Sequence, residues 1–354
     1  MENIYTQFLL EGNPVSLVRY GNGHINDTYL LLTDEPHAYI LQRINSRVFS
    51  DVPKLMDNII AVTDHLRRQD DNPRHVLTLV PTKAGDRYLT LETGEYWRLY
   101  EFVTDSICLD KPESAHDLMQ SGVAFGVFQN QMADFPAQTL VETIPHFHDT
   151  PDRYRQLHEA IRENRAGRLT SVSYELAFYL QRESEASALM DMCRRGELPL
   201  RVTHNDTKLN NVMLDKRLRT PLCVIDLDTV MPGLVANDFG DSIRFGASTA
   251  AEDEKDLSKV SLSLELLEAF ASGFLGACGN RLTPAELETL PLGAKLMTLE
   301  CGVRFLTDYL NGDTYFHIAR PEHNLDRTRT QMTLVEDMER KWRDMELIIR
   351  QAAR

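Results

Sequence analysis

The sequence predicts an α+β chain of two lobes, a small β-rich lobe first and a larger, mainly helical lobe behind it. Short strand-like runs crowd the residues before position 104, and helical periodicity dominates the rest of the chain. One compact strand-rich block interrupts the helices just after position 200.

Taken in order, residues 15–20, 28–32, 38–43 and 96–103 are rich in β-branched, aromatic and leucine side chains and read as strands. Between the third and fourth, segment 52–68 puts Leu55, Ile59, Val62 and Leu66 on one stripe, the spacing of a helix buried along one face. Segments 112–132, 151–164, 173–195, 253–275, 284–310 and 321–353 open on a polar residue or a proline and read as helices. The join falls at Phe102-Val103-Thr104-Asp105, giving lobes 1–103 and 104–354. Without repeats, low-complexity tracts or long linkers, the two are expected to pack as one unit.

Composition narrows the function. A hydrophobic content of 42% over 354 residues supports a sizeable core. A net charge of −15 opposes a nucleic-acid partner or an anionic membrane surface. No apolar run is long enough to span a bilayer, and the first residues do not form a signal peptide. The five cysteines (Cys108, Cys193, Cys223, Cys278, Cys301) are scattered and odd in number, as in a reduced, cytoplasmic protein. The expected partners are small molecules, with no nucleic acid and no membrane. The chain is expected to be a monomer, although sequence does not decide oligomeric state.

The most informative segment is 202–214, with His204, Asp206 and Asn211 between apolar runs, followed 20 residues after Asp206 by Asp226. Phosphoryl transfer to a hydroxyl needs a carboxylate that orients the nucleophile and takes its proton, and Asp206 is the candidate. Magnesium prefers one or two protein oxygens plus phosphates and water, which Asn211 and Asp226 supply. Residues 222–228 read as a strand, on which Asp228 shares a face with Asp226 and could reach a second metal or the substrate. His204 reads as a turn-holding residue. Asp238-Phe239-Gly240 spells a kinase metal-binding tripeptide but lies 32 residues past Asp206, too far for that role. Asp238 and Asp241 instead read as anchors of the catalytic loop or helix caps, with Arg244 positioned to pair with Asp241.

Two parts of the first lobe fit a nucleotide. Gly21, Asn22 and Gly23 join two strands, and glycines there let backbone N–H groups approach phosphate oxygens. The crossing strand ending at Val103 could offer backbone groups of Glu101 and Val103 to an adenine. Where many kinases place a lysine on the third strand, this chain has Gln42. Either the amide suffices, Arg43 substitutes, or the nucleotide contacts differ.

The chain resembles the aminoglycoside phosphotransferase and choline kinase superfamily, and within it the bacterial N-acetylhexosamine 1-kinases. The likeness covers nearly the whole length. It rests on segments 21–26, 143–151, 202–211, 238–249, 300–306 and 321–325. It implies a protein-kinase-like bilobed fold and transfer of the γ-phosphate of ATP, with Mg2+, to the anomeric hydroxyl of N-acetylglucosamine or N-acetylgalactosamine. By matching position, Asp206 is the base and also contacts the sugar, together with His24, Arg304 and Tyr315. Asn211 and Asp226 are the magnesium ligands. Other readings stay open: Arg304 could pair with Glu300, and Tyr315 could be core. An aminoglycoside, choline or homoserine kinase, or a nucleotide-binding pseudokinase, is the alternative function. His146 and His148 read as structural residues.

Overall fold

A computed structural model describes residues 2–21 and 25–354. After a short helix α1 (Glu2–Tyr5), the first lobe is built from β1 (Pro14–Arg19), β2 (Asp27–Thr33), β3 (Ala38–Ile44), α2 (Val52–Gln69), β4 (Leu89–Thr90) and β5 (Tyr96–Glu101). The strands form one antiparallel sheet in the order β1-β2-β3-β5-β4. Because side chains alternate across a strand, Leu41 and Leu99 bury one face with Leu31, Trp97 and Phe8. Gln42, Arg98 and Tyr100 alternate onto the opposite face, where Tyr100 joins the core around α2.

Helix α2 starts at the Asp51 cap, whose side chain accepts from Lys54 N–H, with a proline in the first turn. Its stripe of Leu55, Ile59, Val62 and Leu66 packs on Ile44 and Tyr100 of the sheet and on Phe128, Val202 and Leu227 of the second lobe. The two lobes therefore share a core through α2. Asn58 strengthens the joint by donating to the carbonyls of Val141 and Val230 at 2.8 and 3.0 Å.

The second lobe runs β6 (Ser106–Ile107), α3 (Ala115–Gln131), α4 (Thr150–Glu163), α5 (Ser173–Arg182), α6 (Ala188–Arg194), β7 (Arg201–Thr203), β8 (Val212–Asp215), β9 (Pro221–Val224), β10 (Met231–Gly233), α7 (Val235–Gly246), α8 (Leu264–Ala277), α9 (Pro284–Asn311), α10 (His323–Arg340) and α11 (Trp342–Ala352). Three expected helices are interrupted. Segment 173–195 breaks into α5 and α6 at a 3-10 turn over Glu183–Glu185. α8 starts at Leu264 because Ser263 caps it by accepting from Leu266 N–H. α10 and α11 part at Lys341, whose ammonium reaches the Leu262 carbonyl at 2.7 Å. Among the described residues no helix is long and apolar enough to cross a membrane.

Helices α7 and α9 cross at Gly240 and Gly293. A Cβ on Gly240 would fall 2.3 Å from the Gly293 carbonyl oxygen, and one on Gly293 2.0 Å from that of Ala236. This backbone contact holds α7, which carries Asp238, against α9, which carries Glu300.

Candidate active site

The loop after β7 turns sharply at Asn205, whose φ of 63° is a left-handed conformation that asparagine tolerates better than most residues. Asp238, in the first turn of α7, holds this turn by accepting from the N–H groups of His204 and Asn205, each at 2.8 Å. Thr207 adds a hydroxyl donated to the Asp238 carbonyl at 2.6 Å. His204 Nδ1 accepts from Asp206 N–H while Nε2 faces the Ile225 carbonyl at 2.9 Å, which selects the tautomer protonated at Nε2. Asp238 and His204 are thus loop anchors, as their residue types suggested. Asp241 pairs with Arg244 along α7 at 3.0 Å.

Asp206 stands at the end of the turn with its carboxylate partly open to the cleft. Oδ2 accepts from the Asn211 amide at 3.0 Å, and Oδ1 lies 2.7 Å from the Lys208 ammonium. Asn211 spends its Nδ2 on Asp206, which leaves Oδ1 as the atom able to face a cation. The Asn211 carbonyl also receives Ile225 N–H at 2.9 Å, so the neighbour of Asp226 is tied to the same turn.

Asp226 and Asp228 do not extend a strand, in contrast to the sequence reading. β9 stops at Val224, Asp226 adopts φ 59° and Asp228 sits in a 3-10 turn. The Asp226 side chain opens into the cleft, yet dense surrounding protein, and then the charges of Asp228 and Asp206, push its pKa up. Its carboxylate has no hydrogen bond or ion pair among the described residues. An unpaired carboxylate beside two other acids, with an amide oxygen nearby, fits a hard divalent cation that completes its shell with water and phosphates. No group of three His, Cys, Asp or Glu able to hold a metal gathers among the described residues.

Asp228 is buried and committed elsewhere. It accepts from Arg98 Nη2 at 3.0 Å and from Asn26 Nδ2 at 2.6 Å, and Arg98 Nη1 binds its other oxygen. These contacts displace the idea that Asp228 serves a second metal or the substrate. Arg98 in turn donates from Nε to Gln42 Oε1 at 2.9 Å. Gln42, in the third-strand slot, orients an arginine that arrives from β5. Arg43 faces the other way, pairing with Asp27 and Glu95 at the surface, and is not a substitute for the missing lysine. Arg98 was not singled out from sequence, although a charge inside the apolar run Tyr96-Trp97-Arg98-Leu99-Tyr100 was a legible signal.

Gly21 has φ 77°, a conformation favouring glycine, while Asn22, Gly23 and His24 lie outside the described residues. At the end of β5, Glu101 N–H is taken by the Thr78 carbonyl, and the Val103 carbonyl accepts from Ser106 Oγ. Glu101 therefore has its carbonyl, and Val103 its N–H, to offer a base.

Arg304 and Tyr315 come together at a cavity of about 200 Å³ also lined by Arg153, Asp308, Asn311 and Phe316. The Arg304 guanidinium lies 5.4 Å from the Phe316 ring centroid, 5.8 Å from Phe147 and 5.9 Å from Tyr315. It does not pair with Glu300, whose carboxylate is taken by His148 and Thr150. Tyr315 is 69% exposed and so is no core residue. Asp308 spends its carboxylate on the N–H groups of Thr314, Tyr315 and Phe316. Arg153 was missed by the sequence reading. Burial and the nearby Arg304 hold its pKa below the usual arginine range.

Fold and site define a phosphotransferase of the bilobed, kinase-like class. The chain belongs to the phosphotransferase enzyme family, whose profile it matches over residues 16–261. Solved structures with the same fold include a microcompartment-associated aminopropanol kinase, 17% identical with 97% of each chain covered and a TM-score of 0.60. An aminoglycoside phosphotransferase from Alicyclobacillus acidocaldarius is 12% identical, over 99% of this chain and 96% of that one, with a TM-score of 0.64. An amicoumacin kinase in complex with AMP-PNP and Ca2+ is 16% identical, over 93% and 91%, with a TM-score of 0.58.

Removal of the Asp226 charge is expected to leave the free protein as stable or more so. Its raised pKa means that the unfolded chain ionises first. The resulting destabilisation is absent below the ordinary carboxylate range, grows as pH rises, and is complete above the folded value. Thermal melts of Asp226→Asn and wild type at pH 5 and pH 8 check this. A lower Tm for the variant at pH 8 without metal would contradict it.

Proposed function

We propose that the protein transfers the γ-phosphate of ATP to the 1-hydroxyl of an N-acetylhexosamine. Asp206 acts as general base, placed by the Asp238-anchored turn and contacting the sugar hydroxyl. Asn211 and Asp226 hold Mg2+, which when bound neutralises the phosphate charge. Gly21, Asn22, Gly23, Gln42, Glu101 and Val103 form the nucleotide side within lobe 1–103. His24, Arg304 and Tyr315 contact the sugar, the latter two from lobe 104–354. The proposed setting is a cytoplasmic monomer.

The observation that carries the substrate class is the lining of the Arg304 cavity. Its one acid, Asp308, is occupied by three backbone N–H groups and the Asn324 amide and is outnumbered by the guanidinium groups of Arg153 and Arg304, and the Tyr315 and Phe316 rings already face Arg304. Such a set donates to neutral oxygens and repels a cationic amine. The second reading, an amino alcohol or aminoglycoside acceptor, draws on the names of the structural neighbours. ADP release with Mg·ATP against N-acetylglucosamine, N-acetylgalactosamine, glucose, galactose, choline, homoserine and kanamycin separates them, with products identified by phosphorus NMR. Formation of a sugar 1-phosphate supports the proposal; turnover of amines alone sinks it. In the same assay Arg304→Ala is expected to raise the acceptor KM about 10-fold or more, since a charge-assisted hydrogen bond is worth about 1.5–3 kcal/mol. The KM for ATP should stay within about 2-fold, and an equal rise in both would make Arg304 a structural residue.

A further inference from the structure

His148 sits between two acceptors. Its Nδ1 is 3.0 Å from Glu300 Oε1 on α9, and its Nε2 is 3.1 Å from the carbonyl oxygen of Asn205, the residue preceding Asp206. A carboxylate and a carbonyl can only accept, so both ring nitrogens must carry a hydrogen for both bonds to exist. Side-chain exposure is 9% for His148 and 1% for Glu300, so water is a poor substitute for either partner. Thr150 completes the Glu300 carboxylate by donating at 2.7 Å. Arg304 lies one helical turn beyond Glu300 on the same helix.

We propose that His148 is a positioning residue that, as an imidazolium, ties the Asp206 turn to the helix carrying Arg304. The tie keeps the base in register with the acceptor pocket. This inference rests on the base and acceptor roles proposed above. The charges around the ring agree with it: burial works against the imidazolium, but Glu300 on α9 and Asp241 on α7 outweigh it and raise the pKa. The charge of Asp238 on α7 also acts on the ring, and those of Arg304 on α9 and Arg153 on α4 act on Glu300. Above the raised pKa the ring loses one hydrogen, one bond becomes a repulsion between lone pairs, and the turn loses its tether.

The test combines nitrogen NMR of the full chain with pH profiles, using whichever acceptor the panel shows to be turned over. In wild type, both His148 nitrogens should be protonated at pH 7, and kcat should fall on the alkaline side as that signal titrates. Glu300→Gln should move the alkaline limb about 1–3 units lower, as loss of an opposite charge does. His148→Gln should remove the limb and lower kcat by up to about 100-fold, the effect of slight misplacement of a catalytic group, with the KM for ATP unchanged. A singly protonated His148 at pH 7 overturns the proposal whether or not the variants fold. A doubly protonated ring with an alkaline limb unmoved in Glu300→Gln also overturns it. An acceptor other than a sugar would refute the substrate assignment while leaving the His148 readouts intact.

Discussion

Asp206→Asn is expected to bind Mg·ATP like the wild type while losing about 10²–10⁴-fold in turnover, the usual contribution of a positioned general base. The surroundings favour a clean result. The turn is held by Asp238 and His204 through backbone groups, and the Asn211 amide can still bind the Asp206 main-chain carbonyl at 2.8 Å. An asparagine side chain keeps the shape of the carboxylate but cannot take the proton of the attacking hydroxyl. Its amide would also meet the Lys208 ammonium, which loses its ion pair with Asp206 and keeps the charge of Asp241 nearby. Single-turnover kinetics beside nucleotide titration separate the steps. Full activity in the variant would move the base role elsewhere, and loss of nucleotide affinity equal to the loss of rate would make Asp206 a structural or metal-holding group.

Arg98→Met is expected to destabilise the protein by about 3–5 kcal/mol, because it strands a buried carboxylate. Arg98 is 1% exposed and Asp228 3%. Burial opposes the arginine's charge, but the Asp228 charge and hydrogen bonds outweigh it and hold its pKa above the usual range. The pair joins β5 of the sheet to the turn that carries Asp226, with Asn26 bringing in the end of the glycine loop. The double variant Arg98→Met, Asp228→Leu should recover most of the loss, since a buried pair replaced by apolar groups is often close to neutral. Urea unfolding of the single and double variants measures this. A single variant within about 1 kcal/mol of wild type would show that water or rearrangement relieves Asp228.

The grouping of Asp206, Asn211 and Asp226 was legible because it is local: a turn and the two oxygen-bearing side chains proposed as ligands occupy a short stretch of chain. Helix α2 was legible from its stripe, and the strands of the sheet from their apolar runs. The breaks in segments 173–195 and 321–353 were harder to read, because periodicity continues across a break fixed by capping groups and by the remote contact of Lys341 with Leu262. Asp228 was misplaced for a related reason. An apolar run reads as strand, but Asp226 takes a left-handed conformation that ends it.

By itself the sequence determined the two-lobed α+β class, the ordered acid–amide–acid set and the pairing of Asp241 with Arg244. All of these arise from residues close together in the chain. Only the tertiary structure decided that Arg98 answers Asp228, that His148 spans Glu300 and Asn205, and that Arg304 is ringed by aromatics and unpaired with Glu300. Those partners lie 130, 152 and 57 residues apart for the first three contacts. Burial makes each choice strict, because a charge removed from water must find its partner wherever the packing of the chain brings one.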